Sequence, residues 1–159
     1  MFKYAVLFSI PLLVSCASTI RSGYGPNENH YEYIIVHNKL KNDAYAIAEN
    51  WVAKNYNSAN DVVQQKDKDN GVLVIKAIAP FSIMIYTRYV HYTMEIRVKD
   101  NKSKISFDLG GLAGGGEFHE QPEMTPPADQ MPIIVGQFTK IKDQLEKEWN
   151  KEKTATSDF

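Results

Sequence analysis

Between Val90 and Val98 the chain alternates with a period of two. Val90, Tyr92, Met94, Ile96 and Val98 are apolar, and His91, Thr93, Glu95 and Arg97 stand between them. Successive side chains of a β-strand point to opposite faces, so this run describes a strand with one buried and one solvated face. Sheets wetted on one side are characteristically antiparallel. The apolar face then needs a cover from elsewhere in the chain.

The flanking segments supply both partners and cover. Lys99-Asp100-Asn101-Lys102 reads as a turn, after which Ile105, Phe107 and Leu109 alternate with Lys104, Ser106 and Asp108. Upstream, Val62-Val63 opens a short strand after a polar turn at Asn57 to Asn60. Asp69-Asn70-Gly71 signals a hairpin, because Asn and Gly both tolerate positive φ. Val72 to Ala79 returns as a strand ended by Pro80. Tyr31-Glu32-Tyr33-Ile34-Ile35-Val36 is β-branched and aromatic, a further strand. From Leu40 to about Asn55 the spacing turns helical, with Ala44, Ile47, Ala48 and Trp51 on one face and Asn42 or Asp43 as the cap. A second helix runs from about Ile133 to Asn150, with Ile134, Phe138, Ile141, Leu145 and Trp149 on its apolar stripe. Between them, Gly110-Gly111, Gly114 to Gly116, Pro122, Pro126, Pro127 and Pro132 mark a long loop over 110–132.

The order is strand, helix, four strands, helix: an α+β chain in two layers, an antiparallel sheet of about five strands covered by two helices. The aromatic first strand, the helix carrying Trp51, Asp69-Asn70-Gly71 before an apolar strand, and Tyr92 to Val98 followed by a Lys-Asp turn resemble a family of bacterial envelope domains of unknown function. The resemblance runs from Tyr31 to Leu109 and implies a TBP-like fold, that of one TATA-binding-protein repeat. A helix-grip sheet, curled around the C-terminal helix, is the alternative architecture.

The N-terminus carries an address. Lys3 precedes a short apolar run, Tyr4 to Val14, interrupted by Ser9 and Pro11. A spanning helix needs about 20 apolar residues, so this reads as a secretory signal. Leu13-Val14-Ser15-Cys16 resembles the lipobox of bacterial lipoproteins. The resemblance implies removal of residues 1–15 and a diacylglycerol on Cys16, which becomes the new, commonly acylated, N-terminus. Cys16 is the sole cysteine, so no internal disulfide forms. Ser, Gly, Pro and Asn make 16–29 a flexible tether, 30–150 the domain, and 151–159 a frayed tail. Ala17, where inner-membrane lipoproteins of two-membrane bacteria carry Asp, implies the outer membrane, facing the periplasm. The formal net charge of −1 falls to −2 without Lys3, which as a whole-chain balance gives no electrostatic reason to bind nucleic acid or a polyanionic surface.

Chemistry is sparse. There is no G-x-S-x-G and no H-E-x-x-H, and the glycines at 110–116 lack the Gly-Lys-Ser/Thr ending of a phosphate loop. Glu117, His119, Glu120 and Glu123 are metal-ligand types, but they stand in a loop without an apolar frame, as a solvated acidic segment would. His30, His37 and His91 fall at strand positions. His91, Glu95 and Arg97 share a face, where a cross-strand ion pair is the plain account. The most unusual surface candidate is Pro80-Phe81-Ser82-Ile83-Met84-Ile85-Tyr86, continued by Tyr89. Phe81, Ile83, Met84, Ile85, Tyr86 and Tyr89 form an interaction patch or, alternatively, a strand packed under the helices.

The reading that follows is a membrane-tethered binding or assembly module without catalysis, cofactor or metal. Its partner is an envelope protein, a second copy or an apolar ligand. The competing reading is an envelope enzyme with a site near His91 and Glu95 or in the Glu117 to Glu123 loop.

Overall fold

The computed structural model describes residues 20–21, 29–56, 58, 62–83, 85–113, 120–121 and 126–151. In chain order these form β1 (Ile20–Arg21), β2 (His30–Val36), α1 (Lys41–Asn55), β3 (Val63–Asp67), β4 (Val72–Ile83), β5 (Tyr86–Lys99), β6 (Lys102–Ala113), β7 (Glu120–Gln121) and α2 (Met131–Asn150). The strands make one antiparallel sheet in the order β1-β2-β6-β5-β4-β3, with β7 paired to the end of β6. Five strands carry the sheet, and β1 and β7 are two-residue additions. Ile20–Arg21 pair with Tyr33 and Glu32, so part of the stretch read as a tether lies along the sheet edge.

The period-two pattern of β5 does what it predicts. Val90, Tyr92, Met94, Ile96 and Val98 are buried, together with Ile105, Phe107 and Leu109 of β6, Leu73 and Ile75 of β4, and Tyr33 and Ile35 of β2. Both helices close this face and enter the same core, the two-layer arrangement and not a helix-grip sheet wrapped on one helix. Phe107 stacks on Phe138 of α2 with centroids 4.3 Å apart and planes 11° from parallel. Tyr92 meets Phe138 at 5.3 Å. Trp149, fully buried, donates its indole N–H to the Ala44 carbonyl at 2.9 Å and so ties α2 to α1. Each such large side chain contributes about 1.5–3 kcal/mol by burial alone.

Four local expectations are corrected. Pro80 does not end β4, which runs on to Ile83. Among the described residues β3 pairs only with Val72 to Ile75, so Pro80 lies on a sheet edge where a missing N–H breaks no ladder. Its carbonyl accepts a hydrogen bond from the Gln137 side chain. Order does not break at Gly110 either. β6 continues to Ala113 through a bulge that sets Gly110 and Gly111 against His91, between the pairs Tyr92–Leu109 and Val90–Leu112. Neither Asn42 nor Asp43 caps α1. The N-cap position is Leu40, and the Asp100 carboxylate from the β5–β6 turn accepts the Lys41 N–H at 2.7 Å instead. α2 begins at Met131, with Pro132 in its first turn, where proline lacks no needed donor.

Candidate functional site

With the helices on one face, the other face of the sheet is open among the described residues. Its rows follow from the strand register. The first holds His30, Asp108, Thr93 and Lys76; the second Glu32, Ser106, Glu95 and Val74; the third Ile34, Lys104, Arg97 and Val72. A fourth, at the turn end, holds Val36, Lys102 and Lys99.

The upper rows are knitted by ion pairs. His30 Nδ1 lies 2.5 Å from Asp108 Oδ1, and its Nε2 lies 3.2 Å from Glu32 Oε1. The Asp108 hydrogen bond raises the His30 pKa above its ordinary 6.5; partial burial opposes this, and Glu32 adds to it. Lys104 Nζ donates to Glu32 at 2.6 Å, which with His30 lowers the Glu32 pKa. Arg97 holds Glu95 through two hydrogen bonds. That pair runs along β5, not across strands, because the register places Ser106 and Val74 beside Glu95.

This arrangement bears on acid–base chemistry. His91 and Glu95 share the open face, but four residues along a strand separate them by roughly 13 Å. A general base must sit within about 3 Å of the proton it moves, so the two do not form one site. The Nε2 atom of His91 is buried without a hydrogen-bond partner among the described residues. Of the acidic loop, Glu117, His119 and Glu123 lie outside the described residues, and Glu120 pairs with Ala113 through its backbone. No group of three or more His, Cys, Asp or Glu able to hold a metal occurs among the described residues.

The apolar run from Phe81 to Tyr86 resolves into a hairpin tip. Phe81 is 2% exposed and belongs to the core, so it leaves the proposed patch. Ile83 pairs with Tyr86 through the backbone, and Met84 lies outside the described residues. Ile85, Tyr86 and Tyr89 are 88%, 62% and 42% exposed. Alternation sends Tyr86 and Tyr89 to opposite sides of the ribbon, so the three crown a knob and do not pave one face. Among the described residues β6 reaches only as far as Val90, which leaves β5 from Tyr86 to Tyr89 paired with β4 alone.

Two other features stand apart from the tip. A groove of about 410 Å³ runs between α1 and α2, with Ile47 and Trp51 as part of its lining and Lys54, Gln144 and Lys147 around it. His37, a strand-exit residue, is buried: its Nδ1 accepts the Lys39 N–H at 3.3 Å, and its Nε2 meets Ser103 Oγ at 2.9 Å. Burial, and then the Lys39 charge, lower its pKa from 6.5. Cys16 lies outside the described residues, and no helix among those described is long and apolar enough to cross a membrane.

Comparison with known proteins agrees with this architecture. No curated protein matches the chain. A TBP-like protein from Parabacteroides distasonis is 11% identical over 74% of this chain and 92% of that one, with a TM-score of 0.56. A DUF4468 family protein from Bacteroides ovatus is 8% identical over 75% of this chain and 78% of that one, with a TM-score of 0.47. Residues 30–108 match the family described as "Domain of unknown function (DUF4468) with TBP-like fold". The five-stranded antiparallel sheet under two helices is that fold, and the domain built on residues 30–108 belongs to the DUF4468 family.

Proposed function

We propose that this chain is a lipid-anchored envelope lipoprotein whose DUF4468 domain is a non-catalytic binding or assembly module. Leu13-Val14-Ser15-Cys16, standing directly after a signal-like apolar run, is the observation that carries the reading. Lipid on Cys16 would fix the chain to a membrane, since two or more acyl chains make attachment effectively stable. Ala17 after the cysteine, where inner-membrane lipoproteins of two-membrane bacteria carry Asp, supports an outer-membrane position facing the periplasm. The exposed tip formed by Ile85, Tyr86 and Tyr89 supports docking of an envelope partner, because aromatic and aliphatic knobs are the residues that anchor interfaces. An envelope enzyme remains the second reading, favoured by the Nε2 of His91, which has no hydrogen-bond partner among the described residues, beside the Gly110–Gly111 bulge.

Radiolabelled palmitate and membrane fractionation of the Cys16→Ala variant test the anchor. Label and membrane association are both expected to disappear; retention of both rejects it. For the tip, Ile85→Ser, Tyr86→Ser and Tyr89→Ser are combined, leaving the buried Phe81 untouched. A folded variant that keeps every partner recovered from detergent extracts removes the docking role.

A further inference from the structure

The turn end of the open face breaks a pairing rule. Arg97 stands directly opposite Lys104, and in the next row Lys99 stands directly opposite Lys102. Like charges directly across a ladder repel. Glu95 neutralises Arg97 and Glu32 neutralises Lys104. Lys99 and Lys102 have no carboxylate at ion-pair distance among the described residues, and the nearby Asp100 carboxylate is turned to the α1 N-terminus. Beside this block β2 presents Ile34, opposite Lys104, and Val36, opposite Lys102. They are 41% and 51% exposed, on a face where apolar groups gain nothing from water.

We infer that this corner of the open face, Arg97, Lys99, Lys102 and Lys104 flanked by Ile34 and Val36, is a contact surface for an anionic lipid bilayer. Charge complementarity gives the first reason: headgroup phosphates supply the negative charge that the opposed lysines lack, and the two aliphatics suit the boundary between headgroup and acyl chain. The second is the attachment point. Ile20 pairs with Tyr33 on the edge of β2, one residue from Ile34. Cys16 is four residues upstream, which limits its distance from Ile20 to about 14 Å. β1 is antiparallel to β2, so its direction runs from the Val36 end towards the His30 end. A lipid on Cys16 would thereby be tied within reach of the basic corner. A nucleic-acid track fits poorly, because Glu32, Glu95 and Asp108 occupy the rows directly above.

This role rests on the lipid-anchored reading. A chain beginning at Ala17 retains every described residue and so the whole folded unit. It is mixed with vesicles of phosphatidylcholine, with or without a third of phosphatidylglycerol, and sedimented. Binding is expected to the anionic vesicles alone, to weaken with added salt, and to fall about thirtyfold in Lys99→Gln/Lys102→Gln, from the contribution of two lysines near a charged surface. Ile34→Ser/Val36→Ser should weaken it as well. Equal binding to both vesicle types, undiminished binding by the folded lysine variant, or tighter binding to duplex DNA than to anionic vesicles overturns the surface. Palmitate labelling of the full chain separates the two ideas. Label with no vesicle binding leaves the anchor and removes the surface; vesicle binding without label does the reverse.

Discussion

His30 and His37 lie on one strand and its exit, yet their surroundings push their acidities in opposite directions. A hydrogen bond to Asp108 raises His30 above 6.5, and burial lowers His37 below it. For His30 the folded form holds its proton more tightly than the unfolded chain. Its contribution to stability is therefore complete below pH 6.5 and lost as pH rises through the folded value. For His37 the unfolded chain holds the proton more tightly, so stability falls as pH drops from 6.5 towards the folded value. Imidazole NMR should show two transitions straddling 6.5, His30 above and His37 below; the reverse order would discard the assigned environments. His30 was legible in sequence as a strand-face residue. The burial of His37 against Trp149, at 5.3 Å, was not, because it depends on where the far end of α2 docks.

At the scale of elements, the turns hold more than their own hairpins. Asp100 sits in the β5–β6 turn but accepts the Lys41 N–H, one of the unsatisfied donors at the start of α1. Asp100→Ala should cost about 1 kcal/mol in urea unfolding, as loss of a cap does, and a neutral result would show that water serves that end equally well. Gly71 closes the β3–β4 hairpin at φ 68 and its carbonyl accepts the Val98 N–H at 2.8 Å. A Cβ there would lie 2.5 Å from the Val98 carbonyl oxygen. Gly71→Ala should therefore destabilise by more than about 1 kcal/mol, through both strain and contact; an unchanged unfolding midpoint would contradict the close approach. The Asp69-Asn70-Gly71 signal foretold the turn. It could not foretell that Val98, from another hairpin, presses on it.

Across the whole molecule, one end of the sheet gathers cations and the other carries an apolar knob. Lys99 and Tyr86 are thirteen residues apart on β5, or roughly 43 Å at strand rise. With the basic corner on a bilayer, the tip would stand well clear of it and face a partner, which joins the two proposed surfaces in one orientation. The opposed lysines should also cost stability. Lys102→Glu, placing a carboxylate opposite Lys99, is expected to raise folding stability by about 0.5 kcal/mol while reducing binding to anionic vesicles. A variant that loses stability would mean the four cations are already screened by one another's partners.

The alternation from Val90 to Val98, the helical stripes ending at Trp51 and Trp149, and the Asn-Gly turn determined the two-layer α+β fold, because periodicity decides which face of each element must leave water. The lipobox-like run was likewise a property of four consecutive residues. Tertiary structure decided the rest. Pro80 became an edge residue because β3 stops at its pairing with Ile75, and Gly110 became a bulge because β5 still had Val90 to pair. Phe81 went inside while Ile85 and Tyr86 stayed out, although all three are apolar in one run. The facing of Lys99 on Lys102 was fixed by register between strands, and register joins residues that composition and spacing treat separately.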